Sequence, residues 1–154
     1  MVRELASLCL APVVLVGYMT HQHVASPMIK NSTVENAVMI EAQTCETGIG
    51  LDVKAATNGM YGAGLQYGLK FEPVEKFSVG VIPKFGMSYV DHTVRELPQR
   101  AQFGLGVQVL LGYEQFRVGL EWWHMSNGAG LGLNVSEKQN IGADMIAIQT
   151  GWVF

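Results

Sequence analysis

Apolar and small or polar residues alternate with a period of two through most of this chain from residue 35 onward. Between residues 59 and 71 the odd positions carry large apolar side chains, and the even positions are mostly glycine, glutamine or lysine. The same contrast recurs in residues 77–89, 101–113 and 116–127. Because successive side chains of a β-strand point to opposite faces, each segment predicts a strand with one apolar face and one small or polar face.

Weaker candidate strands lie at residues 38–43 and 48–55, and a final one contains Asp144 and ends at Phe154. Of these seven segments we count six as clear strands. Tight hairpins are predicted at Asn58-Gly59 and Glu114-Gln115, and a short turn at residues 72–75. Residues 91–100 and 128–139 are expected to form long loops. If the C-terminus is periplasmic, both long loops fall outside the cell, as is usual for bacterial membrane barrels.

Composition alone does not separate a soluble β-sandwich from a membrane barrel, because 49% of residues are hydrophobic and 15% are charged. The 18 glycines lie mostly opposite the apolar face, where a narrow closed barrel needs small side chains. The segments also exceed the usual soluble strand of about 5 to 6 residues, and aromatic residues gather at their ends. These features favour an all-β, antiparallel, up-and-down transmembrane β-barrel. A soluble sandwich or lipocalin-like binder remains the weaker alternative.

Residues 1–26 have the pattern of an export signal. Arg3 precedes an apolar run from Leu5 to Met19, which is too short for the roughly 20 residues of a spanning helix. We therefore expect a signal peptide over residues 1–26, with an uncertain cleavage site, and a barrel domain over residues 27–154 in the bacterial outer membrane. A buried N-terminal helix is the alternative, although Pro12 would break it.

Charge and motifs exclude several classes of function. The net charge of -3 gives no basic surface for nucleic acid. No C-x-x-C, H-x-x-x-H or glycine-rich phosphate loop occurs, so we expect neither a metal nor another cofactor. Alternation directs several charged residues into the lumen, where they are expected to form ion pairs: Asp52, Lys54, Lys70, Lys84, Arg117 and Glu121.

Three reactive residues fall on the apolar face near the ends of their segments. His124 and Ser126 are separated by one residue and so share a face, with Cα atoms roughly 6.5 to 7 Å apart in a strand. Asp144 is at the start of the apolar face of the final segment, and it can lie beside His124. A serine with a histidine base and an orienting acid is the arrangement that ester hydrolysis requires.

The segment from Trp123 to Asp144 resembles the PagL-type lipid A 3-O-deacylases in its His-x-Ser-Asn and Asn-x-Gly-x-acid motifs. The resemblance implies an eight-stranded outer-membrane barrel with a serine triad on its outside wall. It implies His124 as base, Ser126 as nucleophile and Asp144 as orienting acid, although the family's acid is usually glutamate. Asn127 and Asn140 match asparagines of the motif, the latter associated with the oxyanion site, and the backbone N–H of Gly128 is a further candidate donor.

Two functional hypotheses follow. The first is a serine esterase that removes an ester-linked acyl chain from lipid A in the outer leaflet, with lipopolysaccharide and outer-membrane lipid as its partners. The second is a noncatalytic small barrel with a structural or surface-interaction role, whose function would lie in the loops at residues 91–100 and 128–139. The sequence leaves open whether the barrel forms a homodimer.

Overall fold

The structure is a computed structural model that describes residues 11–22, 36–91, 101–126 and 143–154. In these residues, eight strands pair in chain order as one closed barrel: β1 (Val13–Gln22), β2 (Asn36–Gln43), β3 (Gly48–Ala56), β4 (Met60–Val74), β5 (Phe77–Val90), β6 (Ala101–Tyr113), β7 (Phe116–Ser126) and β8 (Ala143–Val153). All neighbouring strands are antiparallel. The predicted all-β up-and-down barrel is confirmed, with eight strands instead of the six read clearly from the sequence.

β1 corrects the predicted boundary between a signal at residues 1–26 and a barrel at residues 27–154. It pairs with β2 from Val13 to Thr20 and with β8 along its whole length. The N–H of Phe154 also donates to the carbonyl of Pro12 at 3.0 Å. Residues 13–22 therefore close the barrel, since without them β2 and β8 would each present an unpaired edge.

The two ends of the barrel differ in their connections. Two-residue turns join β4 to β5 at Glu75 and Lys76, and β6 to β7 at Glu114 and Gln115. We call this end the turn end. At the opposite end, the loop end, a three-residue turn that contains the predicted Asn58-Gly59 joins β3 to β4, and residues 23–35, 91–100 and 127–142 connect the other strands. The short turn predicted at residues 72–75 is wrong in position, because β4 continues through an irregularity between Phe71 and Val74 before Lys76 turns the chain at a positive φ of 67°.

The barrel exposes its apolar face and buries its charged one. Large hydrophobic side chains of every strand point outward, such as Leu65, Phe85 and Leu105, each at least half exposed. Among the inward residues, Glu41 is 0% exposed and Lys84 is 2% exposed. A soluble barrel would show the reverse, so this outer wall is of the kind that contacts lipid. No helix in the described parts of the chain is long and apolar enough to cross a bilayer.

A belt of ionic and amide groups fills the middle of the lumen. The Lys84 ammonium contacts the carboxylates of Glu41 and Glu121, and the Lys54 ammonium contacts Glu121 and lies 3.3 Å from Asp52. Gln43, Gln108 and Gln149 extend the network through amide hydrogen bonds. The ion pairing predicted for the lumen is thus confirmed for Asp52, Lys54, Lys84 and Glu121. Nearer the turn end, Arg117 pairs with Glu46, and Lys70 pairs with Glu72 at 2.9 Å.

Apolar side chains lie on both sides of this belt. Toward the loop end they include Trp123 and five methionines: Met19, Met39, Met60, Met125 and Met145. Toward the turn end they are Val13, Leu15, Ile82 and Leu110. Glycine makes room for the largest of these side chains, because a Cβ at Gly104 would stand 1.9 Å from Cζ2 of Trp123. The glycines opposite the apolar face therefore allow the interior to pack densely.

Candidate active site on the outer wall

The last residues of β7 place two of the candidate side chains outside the barrel. Trp123 and Met125 point inward and are 1% and 0% exposed, whereas the alternate positions Trp122, His124 and Ser126 face out. His124 is partly buried, with 33% of its side chain accessible. The face predicted for His124 and Ser126 is the one that the structure gives them.

Asp144 lies beside His124 on the same wall. The two residues are cross-strand partners in the pairing of β7 with β8, and His124 Nδ1 is 2.8 Å from Asp144 Oδ1. Only 10% of the Asp144 side chain is accessible. The structure thus brings together the base and the acid expected from the sequence.

The contact constrains the protonation of the imidazole. An ionised carboxylate only accepts hydrogen bonds, so Nδ1 carries the proton when Asp144 is charged. In neutral His124 the lone pair is then on Nε2, the nitrogen farther from Asp144. This is the tautomer in which histidine acts as a general base toward a serine hydroxyl.

Apolar residues flank the polar pair on β7 and β6, whereas on β1 the cross-strand partner of Asp144 is Gln22. The ring of Trp122 lies nearly parallel to that of His124, at 26° with 6.3 Å between centroids. Leu105 on β6 is the cross-strand partner of His124, and Phe103 is the partner of Ser126. A carboxylate in such a wall is costly unless it is paired, and the imidazole supplies that pairing.

Ser126 ends β7, one residue beyond Met125 and on the face of His124. In an extended strand the Cα atoms of His124 and Ser126 are about 6.5 to 7 Å apart, a spacing that lets their side chains approach each other. The remaining predicted site residues, Asn127, Gly128 and Asn140, lie outside the described residues.

The sequence analysis did not assign Trp122, Phe103 and Leu105 to the site. Trp122 could have been found by strand parity, because it is two residues before His124 on the same face. Phe103 and Leu105 depend on the register between β6 and β7, which the two-residue turn predicted at Glu114-Gln115 determines and the alternation of either strand alone does not. The described residues contain no group of three or more His, Cys, Asp or Glu placed to hold a metal ion.

Neither a protein-family model nor a curated protein matches this chain. Among solved structures it is similar to Ail, the attachment invasion locus protein of Yersinia pestis, crystallised in complex with the heparin analogue sucrose octasulfate. The TM-score is 0.47 at 10% sequence identity, and the match covers 94% of this chain and 98% of that one. The likeness is one of barrel architecture.

Proposed function

We propose that the protein is a serine esterase of the bacterial outer membrane that hydrolyses the 3-O-linked acyl chain of lipid A. The observation that carries the proposal is the 2.8 Å contact between His124 Nδ1 and Asp144 Oδ1 on the apolar outer wall. Ser126 follows on the same face of β7. A base, its orienting acid and a hydroxyl are therefore concentrated where membrane lipid, and not bulk water, surrounds the protein.

In the proposed reaction, Nε2 of His124 takes the proton of the Ser126 hydroxyl as Oγ attacks the ester carbonyl. Asp144 stabilises the imidazolium that forms. The tetrahedral intermediate collapses to an acyl-serine when His124 returns the proton to the departing sugar oxygen. Water, activated by the same histidine, then releases the fatty acid and restores Ser126. Asn127, Gly128 and Asn140 are the candidates, from the sequence resemblance, for donors to the oxyanion.

The position of the pair on the barrel favours a lipid substrate. His124, Ser126 and Asp144 lie near the loop end, and longer connections are usual on the extracellular side of outer-membrane barrels. Among the described residues, the belt of side chains around Glu41 and Lys84 fills the middle of the lumen, whereas the site lies on the outer wall. Substrate would arrive sideways, from the outer leaflet.

Replacing Ser126 tests the function directly. We expect Ser126→Ala to abolish the loss of one acyl chain from lipid A, measured by mass spectrometry in a host without such an activity. Thr150→Val is the matched control, because Thr150 is another outward hydroxyl, on β8 at a distance from Asp144 along the strand. It should deacylate as the wild type does.

Both proteins should be checked for the folded, heat-modifiable form on a gel. Undiminished deacylation by folded Ser126→Ala would contradict the proposal. A wild-type protein that leaves lipid A unchanged would instead favour the noncatalytic barrel with a structural or surface-interaction role.

A further inference from the structure

A shallow, open apolar groove with a volume of about 420 Å³ crosses the outer wall from β3 to β6. The outward side chains that line it are all apolar, among them Leu51, Ala63, Phe85 and Met87. A volume of this size is within the range of small-molecule sites, about 300 to 1,000 Å³. The groove is thus large enough to hold a lipid chain.

One edge of the groove is a row of cross-strand partners that begins at Ser126. Ser126 pairs with Phe103 on β6, which pairs with Met87 on β5. Met87 pairs with Ala63 on β4, and Ala63 pairs with Val53 on β3. Ala63 has the smallest side chain in the row, so this edge of the groove is lowest at Ala63.

The other edge lies in the neighbouring row of cross-strand partners, where Phe85, Leu65 and Leu51 line the groove. This row begins at His124 and reaches Phe85 through Leu105, each residue being the partner of the one before. Both rows therefore start at the candidate catalytic pair on β7. From β7 to β3 they cross four strand spacings, or about 19 Å, a length suited to a long acyl chain.

The rows slope into the membrane. Ser126 is the last residue of β7, at the loop end, whereas Val53 lies in the interior of β3. The partner of Val53, Ala42, is next to the last residue of β2, at the turn end. The row therefore descends from the loop end toward the turn end, because strands in a closed barrel are tilted and staggered.

We propose that this groove binds the acyl chain of the ester under attack and sets the preferred chain length. The inference rests on the proposed esterase function. An ester of a membrane lipid lies near the headgroups, and its chain descends toward the middle of the bilayer. With the carbonyl at Ser126, a chain that follows the groove across β6, β5 and β4 takes that same course.

Photolabelling tests the course of the chain without requiring turnover. The Ser126→Ala protein is incorporated in phosphatidylcholine vesicles with a myristoyl ester of glucosamine 1-phosphate that carries a diazirine at the chain terminus. We expect labelled peptides from β3, β4 and β5, around Val53, Ala63 and Met87. Phosphatidylcholine with the same diazirine chain is the control, and it should label the outer wall on all sides.

Blocking the groove tests its role in chain length. Ala63→Phe keeps an apolar residue on the lipid face and should lower the ratio of myristoyl to hexanoyl ester hydrolysis by about tenfold or more, in line with the effect of methylene-sized changes in apolar sites. Val118→Phe, on the outer face of β7 below His124, is the matched control and should leave the ratio unchanged. An equal effect of Val118→Phe would overturn the proposed course.

The outcomes separate the two proposals. Hydrolysis by the wild type together with uniform labelling would refute the groove and retain the esterase. Labelling confined to β3–β5 without any hydrolysis would refute the esterase and retain the groove as a lipid site. If Ala63→Phe does not fold, labelling of the Ser126→Ala protein still decides the course of the chain.

Discussion

Asp144 illustrates how one side chain can be stable on a surface that disfavours charge. It is 7% exposed on a wall of apolar residues, and its identified partner is the Nδ1 of His124 at 2.8 Å. Direct cross-strand pairing brings the two Cβ atoms to about 4.5 to 5.5 Å, so the short aspartate side chain reaches the imidazole. The additional methylene of a glutamate is not needed at this register.

Asp144 can be tested by changing its charge and its length separately. We expect Asp144→Asn to reduce deacylation on the order of 10⁴-fold, the loss known for an acid-to-amide change in a serine triad, because the amide does not hold the required tautomer. Asp144→Glu keeps the charge and should retain more activity than Asp144→Asn. Initial rates of lipid A deacylation by the folded variants measure this, and wild-type rates for Asp144→Asn would remove the acid from the mechanism.

The sequence predicted the face of these residues better than their surroundings. Parity sufficed for His124 and Ser126, because β7 alternates cleanly from Phe116 onward. Parity alone does not give the cross-strand neighbours Phe103 and Leu105, but the two-residue turn predicted at Glu114-Gln115 does, because it fixes the register between β6 and β7.

At the level of strands, β1 shows where period-two reasoning fails. Its inward residues Val13, Leu15 and Met19 are apolar because they pack in the two apolar clusters of the lumen. Its outward residues, such as Val16 and Tyr18, are apolar because they lie on the outer wall. With both faces apolar the alternation disappears, and the segment has the composition of a signal peptide. The strands that contribute charged or amide side chains to the lumen keep the contrast between their faces, and each was a strand candidate in the sequence.

Removing β1 tests this assignment. A chain that begins at Pro27 should not form the closed barrel, because the edges of β2 and β8 lose their partner. A chain that begins at Ala11 keeps Val13–Gln22 and should fold. Heat-modifiable mobility on a gel and far-ultraviolet circular dichroism in detergent measure the difference. A folded barrel from the Pro27 chain would contradict the role of β1.

At the level of the whole molecule, a barrel with an apolar exterior and a charged interior requires the ionic belt. Lys84 and Lys54 together contact the carboxylates of Glu41, Asp52 and Glu121, and none of these five residues is more than 4% exposed. Removing either lysine would leave one buried cation against three buried carboxylates, which water does not reach. The stability of the barrel therefore depends on the belt as a unit.

We expect Lys84→Met to lower the free energy of unfolding by about 3 to 5 kcal/mol, the usual cost of breaking a buried ion pair. Lys76→Met is the control, since Lys76 pairs with Glu114 at 2.8 Å with both side chains 53% exposed, and such pairs contribute about 0 to 1 kcal/mol. Urea unfolding from phospholipid vesicles measures both. Equal losses would show that the belt does not stabilise the fold as its burial suggests.

The outward direction of His124 has a kinetic consequence. A reactant that approaches this imidazole through lipid diffuses in two dimensions, so encounter frequency follows its mole fraction in the leaflet and not its concentration in the suspension. Adding inert phospholipid at a constant total amount of ester should then slow turnover, whereas diluting the vesicles with buffer should not. A site that faces hydrocarbon should therefore show surface dilution in its turnover rate, whereas a site that faces water should not.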